Sequence, residues 1–369
     1  MGYTMVKGLD GAVAAAAALV ESESQAVAAR DAVGWITASM PLLVEQICAE
    51  SGVFEPRAAA RAIVQARGDL ARAVSLVRAW SAGLPRLGAQ RVGLDDLRTS
   101  RRITPAFVEP EGGQYLGPSL DYAPRLLDLG ADEIHGDQLQ ADAVGGDASP
   151  ADDGLPRGGL PPSFPRALAP LAEEGLLREP DSLAEVEDIT RLGDPMGGRG
   201  AFQQTLCRGE TGALTALAYS AQRGYGTRQD PTISELRQGH LPVHVTDPRS
   251  GRSVRIGVLP ATFVEIVFYR IHDGEPDARF TIGVGATLGR IERRAIAAAV
   301  LDASCARAAG DPDALKAPSD EQEFLTIVLD GQEASGFVEH LKLPHHVSFT
   351  SDLDRLREAG RRALEEDET

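Results

Sequence analysis

Cysteine is scarce in this 369-residue sequence: Cys48, Cys207 and Cys305 are its only three, they lie far apart, and none belongs to a C-x-x-C pair. That excludes a disulfide framework and a metal cage built from the cysteines of one chain, and it points to a reducing, cytoplasmic compartment. Aromatic residues are also few, 5% of the chain, so the core has to be packed mainly from Ala, Leu and Val, which implies many close-set helices. Long apolar runs are missing. Gly11 to Val20 is apolar for ten residues, mostly Ala, whereas a bilayer span takes about 20. A secretory signal would need a basic start and a small-residue cleavage site; here a single Lys7 precedes helix-forming sequence that continues through Arg30, so the run reads as a packed helix. Basic side chains are outnumbered, 37 against 54 acidic, for a formal charge of −17. Such a surface repels nucleic-acid backbone, and only short arginine clusters oppose it, which excludes general DNA or RNA binding but leaves a polyanionic small molecule open. The absence of a G-x-x-x-x-G-K-[ST] run excludes a P-loop.

What is present is ordinary globular composition, 43% hydrophobic and 25% charged. From Lys7 to about Leu84 apolar residues such as Leu43, Ile47, Ile63, Leu70, Val74 and Val77 recur at spacings of three and four, which predicts helices. Between Gly130 and Pro165 Asp, Gly, Pro and Ala dominate and no apolar period survives, the mark of a loop or linker. Strand-like runs follow at Leu241 to Val245, Ser253 to Val258, Phe263 to Tyr269 and Phe280 to Val284, then a strong helix at Ile291 to Ala308 and a charged amphipathic helix from Ser351 to Thr369. Strands clustered before a helix predict an α+β fold. The expected organisation is a helical N-terminal subdomain (1–129), an acidic Pro/Gly-rich loop (130–165) and an α+β part (166–369).

Three glycine-containing segments are candidates for ligand contact. Gly283 to Gly289 precedes a helix, so backbone N–H groups there, with Arg290, Arg293 and Arg294, could hold an anion; the alternative is a turn with a solvated arginine face. Its third glycine is one place late for a dinucleotide fingerprint. In Tyr219 to Arg228 the glycines at 224 and 226 permit exposed N–H donors, and Arg223 with Arg228 add charge suited to phosphate oxygens, though an ordinary C-cap has the same look. Gly112 to Pro118 is a tight turn whose polar rim, Gln114 and the following Asp121, Tyr122 and Arg125, could line a pocket or merely connect elements.

Histidines are the sharpest feature. His240 and His244 have helical i, i+4 spacing, but Pro242 stands between them in a strand-like run, which assigns them to the surface. In His340-Leu341-Lys342-Leu343-Pro344-His345 the rings would point about 140° apart on a helix, and Pro344 opposes that helix, so a turn must bring them together. Two neutral imidazoles make half a tetrahedral zinc shell; hydrogen-bonded histidines in a structural turn are the alternative. His346, next to His345 on an extended chain, faces the other way.

The segments YTMVKG (Tyr3 to Gly8), GGQYLGPSLDYAPRLLD (Gly112 to Asp128), DITR (Asp188 to Arg191), AYSAQRGYG (Ala218 to Gly226) and GFVEHLKLPHHVSF (Gly336 to Phe349) resemble the PhnI family, the I subunit of the bacterial carbon-phosphorus lyase core complex. The resemblance spans nearly the whole chain and departs from Gly130 to about Ala184. It implies a role in alkylphosphonate utilisation: with subunits G and H and the ABC-type protein L, a phosphonate displaces the purine of ATP or GTP from ribose C1′ to give an alkylphosphonate joined to ribose 5-triphosphate. Without phosphonate the subunit would act as a nucleosidase. Bond cleavage would belong to subunit J, and the ABC-type protein K would be a further partner. The resemblance also implies Zn2+ at His340 and His345, with Mg2+ accompanying the nucleotide. Displacement at C1′ needs an acid near the leaving base, for which Asp121 and Glu323 are candidates because they lie in matching segments; Gln114, Tyr122, Arg223, Tyr225 and Arg228 are the substrate-binding candidates. The alternative is mainly a scaffold whose histidine pair completes a site on subunit J.

Overall fold

In the first ninety residues, helices form where the three-and-four spacing of apolar side chains runs between good stop signals. They are α1 (Leu9–Gln25), α2 (Ala32–Ser39), α3 (Pro41–Ser51), α4 (Pro56–Gln65) and α5 (Leu70–Ala82). Prolines open α3 and α4, where a missing N–H costs no hydrogen bond. The Asp69 carboxylate accepts from the Arg72 N–H at 3.0 Å and caps α5. Gly52, at φ +74, ends α3 in the left-handed conformation, and a Cβ there would stand 2.8 Å from Arg208 Nε. Val44, Ile47, Ile63, Val74 and Val77 close a small core among α3, α4 and α5.

The computed structural model describes residues 9–25, 32–86, 90, 92–117, 119, 126–127, 164–178, 188–190, 197–223, 231–268, 271–272, 275–276, 278–309 and 317–367. Most of the Gly130 to Pro165 segment therefore lies outside the described residues. After α5 come β1 (Arg98–Ile103), α6 (Ala169–Glu173), β2 (Leu177–Arg178), α7 (Arg199–Arg208) and α8 (Thr211–Arg223). Next are β3 (Thr232–Thr246), β4 (Ser253–Phe268), the short pair β5 (Ile271–His272) and β6 (Glu275–Pro276), and β7 (Phe280–Leu288). The chain ends in α9 (Glu292–Ala309), α10 (Gln322–Val328), α11 (Gly331–His340) and α12 (His346–Asp367). The fold is α+β, with the N-terminal part helical.

Five strands form one sheet in the order β1-β3-β4-β7-β2; only the β2–β7 pair is parallel. Two runs read separately in the sequence, Ser253 to Val258 and Phe263 to Tyr269, are one strand as far as Phe268, Tyr269 lying outside the described residues, and that strand passes straight through Pro260. Its carbonyl accepts from Gly289 N–H at 2.7 Å, so the nitrogen of Pro260 faces the same side, where β7 has just ended and no ladder bond is lost. The strand β1 escapes the sequence pattern because its inward positions are arginines.

α9 lies across the sheet so closely that β7 can carry no side chain beneath it. A Cβ on Gly285 would stand 2.0 Å from the Ala295 carbonyl oxygen, and one on Gly283 2.3 Å from that of Ala299. Gly283 and Gly285 are thus packing residues in a strand, whereas Gly289, at φ +85, lies in the turn just past its end. Phe202, Leu206, Leu214, Val264, Leu301 and Leu325 fill the main core around this contact, each contributing about 1.5–3 kcal/mol on burial.

The chain divides into two compact units, residues 33–331 and residues 1–32 together with 332–369. The second holds α1, nearly all of α11, and α12. Among the described residues no single helix is long and apolar enough to cross a membrane.

Candidate functional site

Within the smaller unit, α11 ends at His340 and the chain turns through Leu341 and Lys342. Leu341 N–H donates to Val338 O, Lys342 N–H to Glu339 O and Leu343 N–H to His340 O, at 3.0–3.1 Å. Pro344 ends that turn, and α12 begins behind it, with Phe349 N–H donating to His345 O at 3.0 Å. The turn brings the imidazoles together: His340 Nε2 and His345 Nε2 are 3.0 Å apart, and the ring centroids 4.8 Å.

The protonation of one ring follows from its neighbour. His345 Nδ1 lies 2.5 Å from the Leu343 carbonyl oxygen, which can only accept, so Nδ1 carries the proton and the lone pair of the neutral ring sits on Nε2. A backbone carbonyl holding Nδ1–H is the usual support of a metal-ligating histidine. Two nitrogens on one tetrahedral zinc are about 3.3 Å apart, close to the separation here. The donor set fits a divalent transition metal such as zinc. It is half a shell: among the described residues no group of three or more His, Cys, Asp or Glu could hold a metal. Phe337 stacks on His340 with centroids 6.5 Å apart. The pair itself is half-buried, and the apolar Phe337, Val338 and Leu341 beside it in the chain are each at least 65% exposed.

In the larger unit the candidates fare differently. Gln114 is wholly engaged with Thr104, accepting from its N–H at 2.8 Å and donating to its hydroxyl at 2.6 Å and its carbonyl at 3.2 Å. Arg223 is exposed in the last turn of α8, its Nε 3.2 Å from the Tyr219 hydroxyl. Glu323 is exposed in the first turn of α10, where a carboxylate favours the helix dipole. Asp121, Tyr122, Tyr225 and Arg228 lie outside the described residues.

The anion site expected at Arg290 to Arg294 is filled from within. Glu45 of α3 accepts from Arg290 N–H at 2.7 Å and from its Nε at 2.8 Å. Arg294 is buried; it donates to Thr211, to the Thr287 hydroxyl at 3.1 Å and to the carbonyls of Cys207 and Gly209, with Glu50 at 3.5 Å. The protein's own carboxylates thus stand where an anion was expected. His240 is half-buried rather than a plain surface residue, and burial, then the charge of Arg290, lowers its pKa.

Sequence reasoning missed a buried ionic stripe on the sheet face opposite α9. Arg102 Nε donates to Glu235 Oε1 at 2.5 Å, Arg237 Nε to the same oxygen at 2.7 Å, and Ala167 N–H to Glu235 Oε2 at 3.0 Å. The remaining Arg102 nitrogens donate to the carbonyls of Glu111, Gly113 and Pro165, and Arg166 pairs with Glu265 at 2.9 Å. Alternating Glu and Arg in Ser234-Glu235-Leu236-Arg237 was the available signal.

Fold and turn together define an α+β protein in which one short turn brings two imidazole nitrogens to 3.0 Å. The chain belongs to the family described as bacterial phosphonate metabolism protein (PhnI), which matches residues 2–363. It is 38% identical over 370 residues to the putative C-P lyase subunit protein HtxH of Stutzerimonas stutzeri, covering 97% of this chain and 95% of that one. Two proteins named alpha-D-ribose 1-methylphosphonate 5-triphosphate synthase subunit PhnI are also similar. That of Escherichia coli (strain K12) is 36% identical, covering 96% of this chain and 97% of its own; that of Rhizobium meliloti (strain 1021) is 33% identical, covering 96% and 94%.

Proposed function

We propose that this chain is a subunit of the carbon-phosphorus lyase machinery for alkylphosphonate use, and that it takes part in displacing the purine of ATP or GTP by a phosphonate to form alpha-D-ribose 1-alkylphosphonate 5-triphosphate. The observation that carries the reading is similarity along nearly the whole chain to two proteins named for a synthase of the methyl product. The activity is of the pentosyltransferase type, and with water in place of phosphonate it is that of a nucleosidase. It is a cytoplasmic activity, where nucleotide triphosphates are at hand, and Mg2+ accompanies the substrate.

Displacement at C1′ builds oxocarbenium character, so the site has to protonate the leaving purine and hold an anionic nucleophile on the opposite face of the ribose. Asp121 and Glu323 are the acids in family segments, and Arg223 and Arg228 the cations for the triphosphate. His340 and His345 would hold zinc, which polarises a phosphonate or phosphate oxygen. On this chain the Leu343 carbonyl keeps the His345 lone pair directed at that position.

A second reading is favoured by the exposed apolar residues that accompany the pair in the chain. Two ligands make half a shell, and exposed Phe337, Val338 and Leu341 offer apolar surface to another chain that could complete the site, so the subunit would be mainly a scaffold for subunit J. Partners in either case are subunits G, H and J and the ABC-type proteins K and L. Adenine release from ATP separates the two. Release by the purified chain, alone or with G, H, L and methylphosphonate, and lost in His340→Ala/His345→Ala, supports the first reading. No release in any combination overturns it.

A further inference from the structure

Beyond the body of the sheet, β3 and β4 continue as a ribbon. β1 pairs with β3 only from Leu236 to His240, and β7 with β4 only from Ala261 to Phe268; residues 241–246 and 253–259 therefore pair with each other. At about 3.4 Å per residue the ribbon reaches roughly 20 Å past its neighbours. It is firmly built. The Asp247 carboxylate accepts from Arg249 N–H at 2.9 Å and the Ser250 hydroxyl at 2.5 Å, and Asp247 N–H donates to Arg252 O at 2.9 Å. Gly251 closes the turn at φ +66. On the β3 edge, Gln90 donates to Pro242 O at 3.2 Å and accepts from His244 N–H at 2.9 Å.

The base of this arm is anchored by buried Leu241, and its outer part stands in solvent. Residues 251–257 are exposed without exception, including Val254 (46%) and Ile256 (56%), which share one face. Its charge is opposite to that of the chain: residues 241–259 hold three arginines, one aspartate and neither lysine nor glutamate, in a protein of net charge −17. Ordered backbone, exposed apolar side chains and a local positive charge are the features of a docking element with an apolar centre and a charged rim.

We infer that the β3–β4 ribbon is a docking arm for a different protein subunit, one that presents an acidic surface with an apolar centre. Val254 and Ile256 are the anchors; Arg249, Arg252 and Arg255 steer and orient. Contact is through side chains rather than strand addition. The edges carry Pro242 and Pro260, and the register shifts at Val243/His244, features that blunt edge pairing. A second copy of this chain is disfavoured because two bodies of charge −17 repel, and a nucleic acid for the same reason.

The inference rests on the multi-subunit reading above, and one experiment separates the two. Wild-type chain, R249E/R252E/R255E and V254S/I256S are each assembled with subunits G, H and J, and the complexes are weighed by native mass spectrometry and sedimentation at about 0.05 and 0.3 M salt. The expected result is a wild-type complex whose affinity falls with salt, at least a tenfold weaker one for each variant, and unchanged thermal melts, since the altered side chains are exposed. Equal assembly by the variants overturns the docking arm and leaves the subunit reading intact. The arm is equally overturned if the variants instead abolish a homodimer of the purified chain or its binding to a 20-nucleotide DNA. Failure of the wild-type chain to assemble with these subunits overturns the subunit reading, and the arm with it.

Discussion

Arg102 and Glu235 meet Nε to Oε1 at 2.5 Å, and neither side chain reaches solvent. The pair joins β1 to β3 and, through the Arg102 contacts with the carbonyls of Glu111, Gly113 and Pro165, holds together two stretches that flank residues 118–163. Glu235 also accepts from Arg237 Nε at 2.7 Å, so its removal leaves two buried guanidinium groups without their carboxylate. Glu235→Leu is expected to cost about 3–5 kcal/mol in urea unfolding, and Arg102→Met, which leaves Glu235 paired with Arg237, less. A single variant as stable as wild type would show that the pair contributes nothing.

Glycine 285 lets α9 approach the sheet. Gly285→Ala places a methyl group 2.0 Å from the Ala295 carbonyl and 2.4 Å from the Ala299 nitrogen, both backbone atoms that cannot rotate away. The expected loss is about 3 kcal/mol or more by thermal unfolding. Gly336→Ala on α11 is the control: nothing lies within 4 Å of its Cβ position, and the exchange should be neutral or stabilise by up to about 1 kcal/mol.

Zinc affinity measured by competition with a chromogenic chelator should fall by at least about 100-fold in His340→Ala and in His345→Ala, a direct ligand mattering at least as much as an outer-shell group. Wild-type affinity in both variants would sink the ligand assignment. Metal bound only after subunit J is added would favour the shared-site reading.

Thiol chemistry offers a check on burial. Desolvation pushes Cys48 and Cys305 up to about 12 and raises Cys207 as well. In the native protein all three should react slowly with a disulfide reagent at pH 8, and all three promptly once guanidinium unfolds the chain. The sign of the pH effect is fixed: the unfolded thiols release protons first, so the stability these groups supply is full below about pH 9 and is lost as pH rises from 9 towards 12. Fast labelling of native Cys48 would contradict its burial.

Much of the architecture was legible in local pattern. The helix expected at Ile291 to Ala308 spans Glu292–Ala309, and the strand-like runs after residue 240 lie in β3, β4 or β7, apart from Tyr269, which is outside the described residues. β1 was not legible, because Arg101 and Arg102 occupy buried positions where periodicity looks for apolar side chains. Nor was the fate of Arg290 and Arg294, whose carboxylate partners Glu45 and Glu50 lie 245 and 244 residues away. For the site, Pro344 announced that a turn must join His340 to His345; the hydrogen bond from His345 Nδ1 to Leu343 O, which leaves the lone pair on Nε2, is a feature of the folded turn that the sequence does not record.

By itself the sequence determined the N-terminal helices, the long helix after residue 290 and the strand-like runs after residue 240, that the core is small-residue and aliphatic, and that two imidazoles share one short turn, since each depends on side chains a few positions apart. The tertiary structure decided which charges are buried and with what partners, why Gly283 and Gly285 carry no side chain, and that β3 and β4 project past their neighbours. Those outcomes are set by contacts between separate elements of the fold, the farthest pair 245 residues apart, where neither spacing nor composition records the partner.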